Sequence, residues 1–267
     1  MQSEKKFIRD GFFQGCRCDG RGLLSSRPLH LTPNVNALAA GSAQLNIELE
    51  APHIICGCKL ELTYPRTEPN CGFFELSIEI ASKSSPVLRE RVQQVKEMVE
   101  KLILNHLDVS QLCVIPGRKC WCIYIDVEVL KGNCSNIVEH IGYTVLTALG
   151  NTRIPRVKGI INANTLEDTV ELLEGWASLE VGEVPLVISV AKVGEALALD
   201  LTLEEETTAD TTLHVAVNRN HQVCGIVKEN SGGLKLEEVS RVLDMAKSAA
   251  KLVFSSLAEG SIKYKVT

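Results

Sequence analysis

The sequence predicts an α+β chain made of two βα units, each a sheet packed by helices. Three observations predict it. Residues 73–81 alternate, with Phe74, Leu76, Ile78 and Ile80 on one side, the period of a half-buried strand. Residues 86–107 then repeat apolar positions at helical spacing: Leu88, Val92, Val95, Val99, Leu102 and Ile103. The same order of strands followed by a helix returns after residue 184 and closes on a helical run at 235–257. At 267 residues the chain has room for one or two domains of about 150 residues each.

The elements follow in order. A short helix is expected from Glu4 to Phe13, then a turn at Arg17-Cys-Asp-Gly-Arg21. Strands are expected at Leu45–Leu49, Ile54–Leu62 and Phe73–Ala81, with a two-proline loop at 64–72. Pro86 in the first turn and Ser85 as cap start the long helix to Leu107. Leu112–Pro116 and Trp121–Leu130 read as strands joined by the Pro116-Gly-Arg-Lys119 turn. A second amphipathic helix runs from Asn136 to Leu149, capped by Ser135 or Asn136 and broken by Asn151-Thr-Arg-Ile-Pro155. Residues 162–183 read as a polar, irregular linker anchored by Trp176. Strands near 184–191, 196–203, 212–217 and 222–228, a Ser231-Gly-Gly turn and a helix from Lys235 to Leu257 complete the second unit.

Composition narrows the class. Apolar content of 45% supports a sizeable core, and a net charge of −5 speaks against a surface that grips nucleic acid all over. Contact with nucleic acid would be a local patch. No apolar leader opens the chain, and no apolar run approaches about 18 residues, so no membrane span is expected. Six of the ten cysteines fall as Cys16-x-Cys18, Cys56-x-Cys58 and Cys120-x-Cys122, one residue apart rather than the two to four of zinc ribbons. They read as small apolar fillers on strands, and no metal site is expected. The six histidines show no ligand spacing, and Ser231-Gly-Gly233 lacks the lysine of a phosphate loop.

The stretch Asp200-Leu-Thr-Leu-Glu-Glu-Glu206 is the sharpest chemical signal. Four carboxylates fall within seven residues, between the apolar runs 196–199 and 213–217. Acids at the tip of a buried strand pair suit a metal-assisted phosphoryl-transfer site. They equally suit a solvated hairpin turn.

Several motifs occur in a fixed order: Arg17-x-Asp-Gly-Arg21, Asp126-Val-x-Val-Leu130, the helix 136–149, Asn151-Thr-Arg-Ile-Pro-Arg156, Ala191-Lys-Val-Gly194, Asp200–Glu206 and Gly233-Leu-Lys-Leu-Glu-Glu238. The ordered set resembles the RNase PH family over residues 15–258, and within it the forty-two-type ring subunits of the RNA exosome. The resemblance implies an RNase PH-like fold of the ribosomal-protein-S5-domain-2 type. It implies an N-terminal arm at 1–26, a first domain at 27–160, a linker at 161–183 and a second domain at 184–260. Active members degrade RNA from its 3′ end with phosphate as nucleophile. They hold that phosphate with a Gly-Thr-Arg at the start of the second helix and carry two acids six positions apart.

Carried onto this chain, the arginine position falls on Val138, and no Lys or Arg lies between Lys131 and Arg153. Glu139 and Glu128 would repel a phosphate there. The acid positions fall on Glu206 and Thr212; Asp210 is about 6–7 Å further along an extended chain. The expectation is therefore a non-catalytic subunit without a cofactor. The resemblance further implies pairing with other RNase PH-like exosome subunits in a six-membered ring, S1/KH-type cap subunits, RNA in the central channel, and residence in cytoplasm and nucleus, including the nucleolus. Arg89, Arg91 and Lys96 on the first long helix, with Arg118 and Lys119 on the turn, are the expected RNA contacts. Arg17 and Arg21 are expected to pack the arm on a neighbour. Arg153 and Arg156 are expected to serve a structural or subunit-contact role, such as bonding helix-end carbonyls, rather than RNA contact. An active enzyme, or a forty-three- or forty-five-type subunit, is the alternative.

Overall fold

The computed structural model describes residues 2–47, 53–81, 86–130, 135–161, 168–257, 261–262 and 266. Helix α1 (Gln2–Phe13) comes first. Strands β1 (Leu29–Pro33), β2 (Gly41–Ile47), β3 (Ile54–Thr63) and β4 (Phe73–Ile80) lead to helix α2 (Pro86–Leu102). After it come β5 (Cys113–Ile115), β6 (Lys119–Val129), helix α3 (Ile137–Gly150), β7 (Arg153–Ile161) and β8 (Asp168–Ser178). The second half holds β9 (Leu186–Val193), β10 (Ala196–Leu199), the one-turn helix α4 (Leu203–Glu206), β11 (Thr211–Val217), β12 (Val223–Glu229), helix α5 (Leu236–Leu257) and the two-residue strand β13 (Ser261–Ile262).

The first sheet runs β13-β1-β2-β3-β6-β4, with β5 beside β6; the second runs β10-β9-β11-β12. Pairing is antiparallel except between β4 and β6, which are parallel. A parallel pair needs a crossover, and α2 lies within it. Helix α3 sits between the two sheets, against β2 and β3 on one side and β9 on the other. Its residues 137–146 are all buried, which explains why its sequence is apolar nearly all round. Gly41 of β2 allows that closeness: a Cβ there would stand 2.5 Å from the Ala148 carbonyl oxygen and 2.3 Å from Thr152 Oγ1. Helix α5 covers the second sheet with Val242, Ala246, Ala249, Ala250 and Val253. The two sheets thus share one continuous core. Helix α1 packs Ile8 and Phe12, one turn apart, onto Ala191, Val193, Ala198 and Leu201 of the second half.

The α+β order and the sequence-predicted helices are present, with differences that have local causes. The helix expected to Leu107 ends at Leu102, and a tighter 3-10 turn at Leu104–His106 continues the apolar rhythm. Ser85, expected to cap it, lies outside the described residues, as does the end of the strand expected at Leu45–Leu49. Strands β1 and β13 were not expected. Asn136 does not cap α3 with its side chain; its backbone is left-handed, with φ of 53°. The strand expected at 196–203 stops at Leu199, because Asp200 is also left-handed (φ 47°) and Thr202 opens α4 with a capping box to Glu205. The connection expected to be irregular contains β8, which pairs with β7 as a separate two-stranded sheet. Trp176 is no anchor within this chain: it is 60% exposed.

Candidate functional site

The acids of 200–206 go to four different places. Asp200 is buried and meets Arg21 of the arm and Arg27, the first residue after it. Arg27 donates to it from its backbone N (2.6 Å), Nε (3.0 Å) and Nη2 (2.6 Å), and Arg21 from Nη1 (2.9 Å). Burial alone would raise the Asp200 pKa; the bonds and charge of Arg27, with His140 and Arg21, hold it well below the usual carboxylate range. Glu205 takes both oxygens to Arg17, at 3.0 and 2.5 Å. Arg17 also donates to the carbonyls of Leu199 (3.0 Å) and Asp200 (2.7 Å). Glu204 is exposed. Glu206 turns toward α3 and accepts the Asn136 backbone N–H at 2.5 Å.

This arrangement bears on both sequence alternatives. The stretch is no solvated turn, since Asp200 and Glu205 are 2% and 1% exposed. Their charges are spent on arginines of the same chain rather than left open for a cation. Arg17 and Arg21, expected to pack on a neighbouring subunit, are turned inward instead. Among the described residues no three His, Cys, Asp or Glu side chains are placed to hold a metal ion. Cys56, Cys58, Cys120 and Cys122 are buried, in the filler role expected for paired positions on a strand; Cys16 and Cys18 are exposed.

Val138, Glu206 and Thr212 line a single cavity of about 140 Å³ at the N-terminus of α3. Arg91 of α2, Ser189 of β9, His214 of β11 and Glu229 of β12 also line it. The described lining therefore holds one arginine against two carboxylates. That arginine is engaged, since Arg91 pairs directly with Glu229. Glu229 also meets His214 at 3.1 Å, and His214 meets Ser189 Oγ at 2.9 Å. Burial would raise the Glu229 pKa, but His214 and Arg91 bring it down to about 2. Burial dominates at Glu206 and, despite Asn136 and Arg91, lifts it to about 7. An anion entering here would meet the positive end of α3 but also Glu229 and, near neutrality, a partly ionised Glu206.

Glu128 and Glu139, expected to repel a phosphate at Val138, do not line the cavity. Glu128 lies on the outer face of the first sheet. Glu139 is buried behind the cavity, bonded by the Tyr143 hydroxyl (2.6 Å) and the Ser189 N–H (2.7 Å), and burial lifts it to about 7. Asp210 is held away by Arg9 of α1 (2.8 and 3.1 Å) and by the Gly194 N–H (2.7 Å). Glu229, His214 and Ser189 were missed. They come from three strands whose alternation reads only as buried sheet, so nothing local marks them.

The five expected RNA contacts do not form one patch. Arg91 is inside the cavity, Arg89 is exposed on α2, and Lys96 faces Glu100 one turn on at 3.8 Å. Arg118 pairs with Asp168 of β8 at 2.8 Å, and Lys119 lies 4.1 Å above the Tyr64 ring. Lys119 begins β6, whereas α2 starts after β4 has run parallel to β6 as far as Val129. Arg89 and Arg91, in the first turns of α2, therefore stand toward the other end of a strand roughly 33 Å long. Nor do Arg153 and Arg156 close the end of α3. Asn151 Nδ2 and Thr152 Oγ1 donate to the carbonyls of Thr147 (2.7 Å) and Ala148 (2.9 Å).

Comparison with known proteins bears on this geometry. Residues 25–155 match the family model described as 3′ exoribonuclease family, domain 1, and residues 183–249 match its domain 2. The chain is 30% identical over 241 residues to the exosome complex component Rrp42 of Pyrococcus horikoshii, covering 87% of this chain and 85% of that protein. It is 28% identical over 260 residues to that of Pyrococcus abyssi, covering 94% and 92%. Among solved structures it is similar to a chain of an archaeal exosome core, with a TM-score of 0.76, 22% identity and coverage of 96% and 97%. It is also similar to rice (Oryza sativa) Rrp46, with a TM-score of 0.64, 14% identity and coverage of 91% and 98%. At those identities the structural likenesses speak for the fold.

Proposed function

The chain belongs to the 3′ exoribonuclease family of RNase PH proteins, and from that premise we propose that it is a ring subunit of the RNA exosome which does not itself cleave RNA. Two relatives at 28–30% identity over most of their length are exosome components named Rrp42, which supports the ring role over a forty-three- or forty-five-type position. The observation that carries the non-catalytic reading is the lining of the cavity at α3. Val138 stands where a phosphate-holding arginine is needed, Thr212 where a second acid is needed, and Arg91 is engaged by Glu229. Among the described residues lining the cavity, a phosphate nucleophile meets no free cation, and the leaving oxygen has at most Glu206 to serve it.

In this reading the subunit contributes interface to other RNase PH-like subunits in a six-membered ring, beneath S1/KH-type caps. Exposed bases such as Arg89 touch RNA in the channel. The protein works in the cytoplasm and in the nucleus, including the nucleolus. The purified chain, given RNA, phosphate and magnesium, releases no nucleoside diphosphates; mixed with an RNase PH-like paralogue, it co-elutes as a larger assembly. Phosphate-dependent release by the chain alone would sink the non-catalytic reading and favour an active exoribonuclease. A monomer indifferent to every such paralogue would sink the ring role.

A further inference from the structure

Ser189, His214 and Glu229 lie in a row across three strands of the second sheet. His214 of β11 stands directly opposite Ser189 of β9, and Glu229 of β12 stands opposite Thr212, one diagonal step from His214. All three line the cavity at the start of α3. Ser189 Oγ is 2.9 Å from His214 Nδ1, and His214 Nε2 is 3.1 Å from Glu229 Oε2. A hydroxyl, an imidazole and a carboxylate at such separations form the relay that activates a serine nucleophile.

The carboxylate sets the direction of the relay. His214 and Arg91 hold Glu229 ionised, so it only accepts hydrogen bonds. In the neutral imidazole Nε2 therefore carries the hydrogen, and the Nδ1 lone pair faces the Ser189 hydroxyl. Ser189 is fixed in its turn, because its backbone N–H donates to Glu139 at 2.7 Å. Ile137 and Val138, the first two residues of α3, line the same cavity. N–H groups in the first turn of a helix have no partner within it, and they suit the negative oxygen of a tetrahedral adduct. Glu206 and Glu229 disfavour an anionic substrate. The volume of about 140 Å³ is well under the roughly 300–1,000 Å³ of sites for drug-sized ligands. An uncharged ester with a short acyl group fits both limits.

We propose that Ser189 and His214 are catalytic residues of a second activity, the hydrolysis of uncharged short-chain carboxylic esters, with Glu229 as the positioning residue for His214. Ser189 Oγ bonds to the ester carbonyl carbon while its proton passes to His214 Nδ1. The adduct then breaks its bond to the alcohol oxygen, which takes that proton and leaves an acyl ester on Ser189. Water, giving a proton to the same Nδ1, attacks the acyl carbon, releases the acid and restores the serine. The activity is independent of the ring-subunit reading.

The test treats the purified full-length chain with a fluorophosphonate probe, maps the modified residue by peptide mass spectrometry, and follows hydrolysis of p-nitrophenyl acetate alongside. The wild type is expected to carry the probe on Ser189 and to turn the ester over. Ser189→Ala is expected to lose both, and His214→Gln to slow both by at least about a hundredfold. Glu229→Gln is expected to slow labelling and to move the midpoint of its pH profile down, because the imidazolium loses the carboxylate beside it. Arg91 and Glu206, which also line the cavity, are present in both proteins. A folded wild type without probe on Ser189, or ester turnover equal in wild type and Ser189→Ala, overturns the activity. Labelling of Ser189 that His214→Gln leaves unchanged overturns the relay, and an unmoved pH midpoint in Glu229→Gln overturns its positioning role. Labelling of the wild type needs no variant to fold, so an unstable His214→Gln does not shield the proposal.

Discussion

Arg17 and Glu205, 188 positions apart, form a two-point ion pair whose side chains are sealed from solvent at 0% and 1% exposure. Arg17 reaches the acid across the end of β10 and also donates to the carbonyls of Ser25, Leu199 and Asp200. The pair ties the N-terminal arm to the acidic stretch, and Arg21 and Arg27 repeat the tie at Asp200. Removing one member leaves a buried charge without its partner. Arg17→Ala should therefore lose about 3–5 kcal/mol of stability. Arg17→Met combined with Glu205→Leu should recover most of this, falling short by about 1–2 kcal/mol because the Leu199 carbonyl loses the Arg17 donor and the Thr202 N–H its Glu205 acceptor. Urea unfolding midpoints of the three proteins check both figures; equal losses in the single and double variants would refute the argument.

How much of this was legible follows from the range of the interactions. Helices α2, α3 and α5 declare themselves because their apolar spacing is local. The capping box Thr202-x-x-Glu205 was equally local; it was overlooked because the preceding apolar run reads as a strand continuing to 203. The hairpin at β8 was hidden by its exposed, acidic face, which lacks the alternation of a half-buried strand. The arginine cluster was not legible at all. Nothing near Arg17 or Arg27 says that their partners lie at 205 and 200, since that pairing is set by how α1 and the arm cross the second sheet. Val138 and Thr212 were singled out by the family resemblance, while the placement of Arg91 and Glu229 beside them in the cavity needed three dimensions.

Gly41 tests the closeness of α3 to the first sheet. Any side chain there meets the Ala148 carbonyl oxygen and Thr152 Cα, at 2.5 and 2.7 Å from Cβ, and these are backbone atoms that cannot swing away. Gly41→Ala should cost about 1–3 kcal/mol by forcing α3 off β2. Gly57, on β3, has open space around its Cβ position and serves as the control. A Gly41→Ala protein as stable as Gly57→Ala in thermal unfolding would contradict the packing.

The cysteines should divide by burial. Cys16 and Cys18 are exposed and should alkylate within the first minutes in the native state. The hydrogen bond with Cys58, followed by burial, pushes the Cys56 thiol well up, and burial raises Cys122 to about 11. Neither should react at pH 8 until the chain unfolds, because the thiolate is the reactive form. Peptide mass mapping after brief alkylation distinguishes the two groups, and early labelling of Cys56 would mean that β3 is not part of a closed core.

Glu206 supplies a pH dependence of unusual sign for a carboxylate. Burial holds its proton up to about pH 7 in the folded protein, whereas an unfolded glutamate releases it near pH ~4.3. Between those values the unfolded chain binds fewer protons, so rising pH favours unfolding, by on the order of 3 kcal/mol at full effect. Glu206→Gln keeps an oxygen for the Asn136 N–H, bonded at 2.5 Å in the wild type, and cannot ionise. Its stability relative to wild type should therefore climb as pH rises from 4.5 to 8 and level off beyond. The difference removes the contributions of Asp200, Glu229 and His140, which both proteins share. Urea titrations of the pair at pH 4.5, 6 and 8 give the curve directly. A constant difference across that range would mean that Glu206 is ionised in the folded state throughout, held so by Arg91 and the N-terminus of α3.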